Sequence, residues 1–235
     1  VVLAHSAYAD EPPGHSLLKI HVPRASALRD IWDAGIDFEG AAGKPGGWME
    51  FVATPQEMLA LTERGIAFEV VERDLQSASA RGLSAGPVDA LGFGMGSMGG
   101  YYTLDEIGDQ LDSMKMLHPT LISEKQEIGY TVEGRPVCAI RISDNPGTDE
   151  PAEPELLYTA LTHAREPAGM MTLIYYMWWL LEQHGTDPDA TYLVNNRQIW
   201  FIPVVNPDGY AYNQTTNPSG GGFWRKNRRN NGNGT

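Results

Sequence analysis

The chain has 235 residues, enough for one or two domains, and 42% of them are hydrophobic, as in ordinary globular proteins. The formal net charge is −13, but Asp208 is the last acidic residue. Arg225, Lys226, Arg228 and Arg229 follow it, so the rest of the chain carries −17 (−13 minus 4). That balance argues against nucleic-acid binding. No stretch approaches the roughly 18 apolar residues of a membrane span, and the one cysteine, Cys138, excludes an internal disulfide.

In chain order, residues 1–9 read as the end of a secretory signal. Ala7-Tyr8-Ala9 is a small-x-small cleavage pattern, with Asp10 as the new N-terminus. Export makes the protein secreted or periplasmic. A strand is expected at 17–22, a helix at 25–34, a short strand at 36–38, and a strand at 48–53 after the turn-rich stretch 41–47. Thr54-Pro55-Gln56-Glu57 offers a Thr cap, a Pro at the first helical position and a Glu three residues after the cap. The helix it opens should run to Arg64 and end at Gly65. A strand at 66–71 completes the order βαββαβ, the split ferredoxin-like arrangement. Residues 76–100, rich in Ser, Ala and Gly, read as a flexible linker.

Beyond the linker, Thr103 and Glu106 form a capping-box pattern for a helix to about Leu117, stopped at His118-Pro119. Strands at 125–132 and 136–143 should join at the Glu133-Gly134 turn. Residues 156–161 are nearly all apolar, as in a strand buried on both faces. A long helix follows at 167–184, with Met170, Met171, Tyr175, Tyr176, Trp178 and Trp179 as packing surface. A short helix at 190–195 and a central strand at 198–205 complete a mixed sheet with helices on both faces. Cys138, in the alternating run 137–142, reads as a small core residue, and His118 as a helix-end residue.

The chemistry concentrates at His163-Ala164-Arg165-Glu166, directly after the apolar strand and directly before the long helix. Open α/β sheets bind ligands at the carboxyl ends of their strands. His at a strand's end and Glu three residues on can face one crevice there. Zn²⁺ takes imidazole nitrogen and carboxylate oxygen at about 2.0–2.2 Å. Two further segments bear on this: Asn206-Pro207-Asp208-Gly209-Tyr210, after the apolar run 199–205, and Trp224-Arg225-Lys226-Asn227-Arg228-Arg229. Asp208 reads as the Asp of a Pro-Asp-Gly turn.

In order and approximate spacing, the three segments resemble the M14 zinc metallocarboxypeptidases, in the branch of the secreted carboxypeptidases. The resemblance covers roughly residues 100–235, with a matching pro-segment before it. It implies His163 and Glu166 as zinc ligands and Arg165 as a substrate-binding arginine. It implies Arg225 as the arginine that polarises the scissile carbonyl and steadies the oxyanion. A guanidinium is always charged and can fork onto a carboxylate or an oxyanion, which gives the basic cluster a better purpose than a solvated loop. The implied reaction is removal of C-terminal residues from peptides, with one zinc ion as cofactor. The pro-domain is expected to pack on its own catalytic domain, and neither nucleic acid nor membrane is expected as a partner.

The family also uses a third zinc ligand, a His, and a Glu as general base. No His, Glu or Cys follows His184. At about 1.5 Å per helical residue, His184 would lie roughly 25 Å from Glu166. The third ligand is therefore expected beyond Thr235, and the chain reads as a piece of a longer protein, inactive by itself. The expected division is a signal remnant at 1–9, a ferredoxin-like α+β pro-domain at 10–75, a linker at 76–99 and the first part of an α/β, mixed-sheet carboxypeptidase catalytic domain at 100–235. Two other functions use the same residues: hydrolysis of cell-wall peptides on the same zinc core, and a non-catalytic interaction protein on a carboxypeptidase scaffold.

Overall fold

A computed structural model describes residues 14–38, 41–75 and 93–230. The chain falls into two compact units, Val1–Gly82 and Leu83–Thr235. The expected signal remnant at 1–9 lies outside the described residues, as does the expected linker from 76 to 92.

The first unit is a four-stranded antiparallel sheet in the order β2-β3-β1-β4. Strand β1 (Ser16–Val22) buries every second residue, so Leu18, Ile20 and Val22 form one wall of the core. A 3₁₀ turn leads into α1 (Leu28–Trp32), then come β2 (Ala42–Gly43), β3 (Gly47–Ala53), α2 (Pro55–Glu63) and β4 (Phe68–Glu72). The Thr54 hydroxyl accepts from the Glu57 amide and the Glu57 carboxylate accepts from the Thr54 amide at 2.7 Å, as the sequence pattern requires.

One strand is not where the sequence put it. Residues 36–38 are not in the sheet. Gly35, at φ +96°, turns the chain so that Ile36 drops into the core as an anchor. The second strand is instead the short Ala42–Gly43, in the stretch expected to be turns. Gly43 permits it: at φ +103°, a Cβ there would lie 2.7 Å from the Trp48 carbonyl oxygen.

The second unit opens on residues 93–100, which are no linker. Phe93 packs edge-on against Tyr102 and Tyr175, Met98 is buried, and the Ser97 amide donates to the Glu106 carboxylate. That carboxylate also completes the capping box at Thr103 that starts α3 (Leu104–Leu117). Burial pushes the Glu106 pKa up, but the amides of Thr103 and Ser97 outweigh it and hold the acid below its usual range.

Strands β5 (Gln126–Tyr130) and β6 (Pro136–Ile142) form the expected hairpin, with Gly134 at φ +82° in its turn. Strand β7 (Glu155–Thr159) then leads through α4 (Pro167–Gln183) and α5 (Pro188–Asn196) into β8 (Gln198–Ile202). The sheet order is β5-β6-β8-β7, with β7 and β8 parallel and the other pairs antiparallel. A parallel pair needs such a helical crossover. Helix α6 (Pro207–Thr216) follows β8.

Strand β7 departs from its expected place. Among the described residues it is an edge strand, and Leu157 is 62% exposed and Tyr158 39%. Tyr158 still stacks on Phe201, on the face where Ile140, Ile142, Ile199 and Phe201 join the core with α4. On the other face Leu157 lies opposite Trp200, which the Arg141 guanidinium covers at 5.1 Å. Arg141 and Gln198 also tie down the segment after β6 through Pro146 and Glu150. Among the described residues, Leu157 on that face is left largely uncovered. Among the described residues, no helix is long and apolar enough to cross a membrane.

Candidate metal and substrate site

The parallel pair β7–β8 positions the site. Beyond the strands proper, pairing continues from the Ala160 amide to the Ile202 carbonyl, from the Val205 amide to Ala160 and from the Asn206 amide to Leu161. Leu161 sits at φ +50°, the only non-glycine residue with positive φ among those described. Such a conformation costs on the order of 1–3 kcal/mol and persists where its surroundings enforce it. Here the Asn206 amide holds the Leu161 carbonyl, and the chain turns off the strand end at Thr162 and His163.

His163 presents its Nδ1 to both carboxylate oxygens of Glu166, at 3.1 and 3.2 Å. Two ligands on a tetrahedral zinc with bonds of 2.0–2.2 Å stand roughly 3.4 Å apart. Donor chemistry and spacing therefore fit a shared ion. Glu166 also marks the start of α4, where Pro167 occupies the first helical position. Arg225 approaches the other ring nitrogen, with Nη2 2.8 Å from Nε2 of His163. A guanidinium only donates, so Nε2 accepts and the Nδ1 proton points to Glu166. Holding a metal at Nδ1 requires that proton to leave.

His163, Arg225, Asn227, Tyr130, Thr131 and Thr162 are among the lining of a cleft of about 620 Å³. Three of the four sequence-derived site residues, His163, Glu166 and Arg225, thus meet. Glu166 joins them through His163 without lining the cleft, and Arg165, half-buried on the same loop, does not line it either. Arg228, from the same basic cluster, is already committed. It stacks 4.0 Å from the Tyr212 ring and 4.4 Å from the Trp224 ring, and its Nε donates to Glu133 at 3.4 Å. Among the described residues, no third His, Cys, Asp or Glu converges on His163 and Glu166. The one acidic trio that does converge, Asp144, Glu150 and Glu153, lies elsewhere.

Asp208 is not in a turn, contrary to the sequence expectation. Asn206 caps α6 by accepting from the Gly209 amide at 3.0 Å, which places Pro207 and Asp208 in its first turn. The buried Asp208 carboxylate faces the β5–β6 hairpin. It accepts from the Thr131 hydroxyl at 2.7 Å, the Glu133 amide at 3.0 Å and Arg135 Nη1 at 2.8 Å. Burial pushes its pKa up, but these donors more than compensate and hold it below the usual carboxylate range.

A folded-state pKa below the unfolded value contributes stability that is present above about pH 4 and lost as pH falls through the lowered pKa. Asp208→Ala should therefore cost about 2–3 kcal/mol at pH 7 by orphaning three donors. The gap to the native chain in urea unfolding should narrow at pH 3. An equal gap at both pH values would show that the carboxylate charge is not what holds the hairpin.

Residues 107–235 match the zinc carboxypeptidase family (peptidase M14). The chain has a mixed α/β fold and belongs to the zinc carboxypeptidase family. It is 31% identical to carboxypeptidase A1 of Rattus norvegicus, over 92% of this chain and 52% of that protein. It is 30% identical to a zinc carboxypeptidase of Saccharothrix mutabilis subsp. capreolus, over 92% of this chain and 49% of that protein. The chain thus spans about half the length of the curated relatives it matches. A crystal structure of carboxypeptidase A from Helicoverpa armigera shares the mixed α/β fold, with a TM-score of 0.65 at 22% identity. That match covers 93% of this chain and 54% of the other.

Proposed function

We propose that this chain carries the first part of a zinc-dependent metallocarboxypeptidase that removes C-terminal residues from peptides. The observation behind the reading is the convergence of His163 Nδ1 on both oxygens of Glu166, with Arg225 2.8 Å from the opposite ring nitrogen. In this reading His163 and Glu166 hold one zinc ion, and a third protein ligand comes from beyond Thr235. When bound, zinc supplies Lewis acidity and lowers the pKa of water. Arg225 donates to the oxyanion that develops on the scissile carbonyl. Arg165 binds substrate from the same loop.

The same proposal covers the remaining organisation. The first unit would be a ferredoxin-like pro-domain, a reading supported by its βαββαβ element order and its sheet order β2-β3-β1-β4. The assignments of 1–9 as a signal remnant, 10–75 as the pro-domain and 100–235 as catalytic belong to it, with the linker reduced to 76–92 because 93–99 pack against the second unit. So does a secreted or periplasmic location, supported by Ala7-Tyr8-Ala9.

The test uses the full-length parent, freed of any pro-segment, and one peptide with either a free or an amidated C-terminus. A carboxypeptidase should release only the last residue, only from the free-acid peptide, and a chelator should stop it. Cleavage of both peptides, or release that survives metal removal, would overturn the reading.

A further inference from the structure

We propose that Asn213 is a positioning residue whose carboxamide locks the His163–Glu166 loop and the Arg225 segment in register. The inference rests on the site reading above only in what it takes those residues to be for. Asn213 lies on α6, two helical turns after its cap residue Asn206, and is 3% exposed. Its side chain makes three hydrogen bonds, all to the backbone of the two segments that carry the candidate site. Nδ2 donates to the Ala164 carbonyl at 3.0 Å and to the Trp224 carbonyl at 2.7 Å, and Oδ1 accepts from the Trp224 amide at 2.8 Å. Ala164 directly follows His163, and Trp224 directly precedes Arg225. One side chain therefore grips both neighbours of the 2.8 Å contact between Arg225 and His163.

The chemistry singles out asparagine. The grip needs two donors and one acceptor on a short, planar group, and a buried site leaves no water to replace them. Aspartate has the same shape but, when ionised, no donor, and it would turn oxygen toward two carbonyl oxygens. Glutamine is one methylene too long.

The surroundings are fitted to the same group. A Cβ on Gly222 would lie 2.7 Å from Cβ, Cγ and Oδ1 of Asn213. A Cβ on Gly209 would lie 2.8 Å from both the Ala164 Cβ and the Lys226 carbonyl oxygen, so α6 approaches both segments as closely as backbone allows. Two other bonds run in parallel: the Ala164 amide donates to the Arg225 carbonyl at 3.1 Å, and Asn206 Nδ2 donates to the Lys226 carbonyl at 3.0 Å. Neither of them reaches the Trp224 backbone, whose carbonyl and amide both bond to Asn213, while Tyr212 and Arg228 hold only its ring.

The tautomer of His163 reads this register directly. While Arg225 donates to Nε2, the ring proton resides on Nδ1. Long-range proton–nitrogen NMR of the 235-residue chain at pH 8, without metal, should show Nδ1 protonated and Nε2 unprotonated. In Asn213→Asp that pattern should give way to an averaged one or to the Nε2-protonated form, while amides of the β5–β8 sheet keep their native shifts. A purely structural Asn213 would lower the unfolding midpoint and leave the His163 pattern untouched, and that outcome overturns the proposal. So does a native chain with His163 protonated at Nε2.

Gly222→Ala displaces the same carboxamide without altering it. It should reproduce the change, and an unchanged pattern in that folded variant also counts against the proposal. Should both variants fail to fold, hydrogen exchange on the native chain decides. The Trp224 amide and the His163 Nδ1 proton must be protected together, and a freely exchanging Trp224 amide beside a fixed His163 overturns the proposal. The readout involves neither metal nor hydrolysis, so its failure and that of the carboxypeptidase reading are separate results.

Discussion

His163→Ala in the full-length parent should abolish peptide hydrolysis and lower bound zinc together. The expectation follows from donor geometry. Nδ1 of His163 faces both Glu166 oxygens within 3.2 Å, so removing the imidazole leaves Glu166 as the sole ligand this chain contributes. Catalytic zinc sites use three protein ligands, so the loss of His163 would leave only two to hold the ion. The paired measurement is metal content by atomic spectroscopy and release of a C-terminal residue, each against the native parent. Retained hydrolysis at unchanged zinc content would falsify the ligand assignment. Circular dichroism should stay native, because His163 lies on a loop and is not among the buried core residues.

Arg225→Ala should instead lower kcat by roughly 10²–10³-fold, the usual loss when one oxyanion donor is removed, with zinc content little changed. Arg225 meets the ring at Nε2, whereas Nδ1 is the atom that would face the metal. Its backbone carbonyl, which accepts from the Ala164 amide, survives the substitution, so the loop should stay in place. A parallel fall in zinc content and kcat would make Arg225 a structural support of His163. Arg225→Lys separates charge from geometry. A compact ammonium keeps the charge but loses the fork, so partial recovery of kcat is expected, not full recovery.

Much of this was legible in the residues. The capping boxes at Thr54 and Thr103, the hairpin at Gly134 and the βαβ crossover after 156–161 rest on local chemistry: a hydroxyl near an amide, a glycine at positive φ, a hydrophobic period. His163 and Glu166 were legible too, since three residues across a strand-to-helix junction keep both side chains at one strand end. The partners of Asp208 were not. They lie 73 to 77 residues away on the β5–β6 hairpin, and nothing local distinguishes a Pro-Asp-Gly turn from a capped first turn of helix. Asn213 left one trace, its spacing of seven from Asn206, which puts both on the same face of α6.

The sequence by itself determined the family, the meeting of His163 with Glu166 at one strand end and most element boundaries, because motif spacing and hydrophobic period act over a few residues. Tertiary structure alone decided which side chains are committed. Arg228 is taken by two aromatic rings and Glu133, Asp208 by the hairpin, and Arg225 is delivered to His163 across 62 residues. Among the described residues it also leaves β7 at the edge of the sheet with Leu157 exposed, against its apolar composition. Burial depends on which partners a strand finds, and composition records only what it could bury.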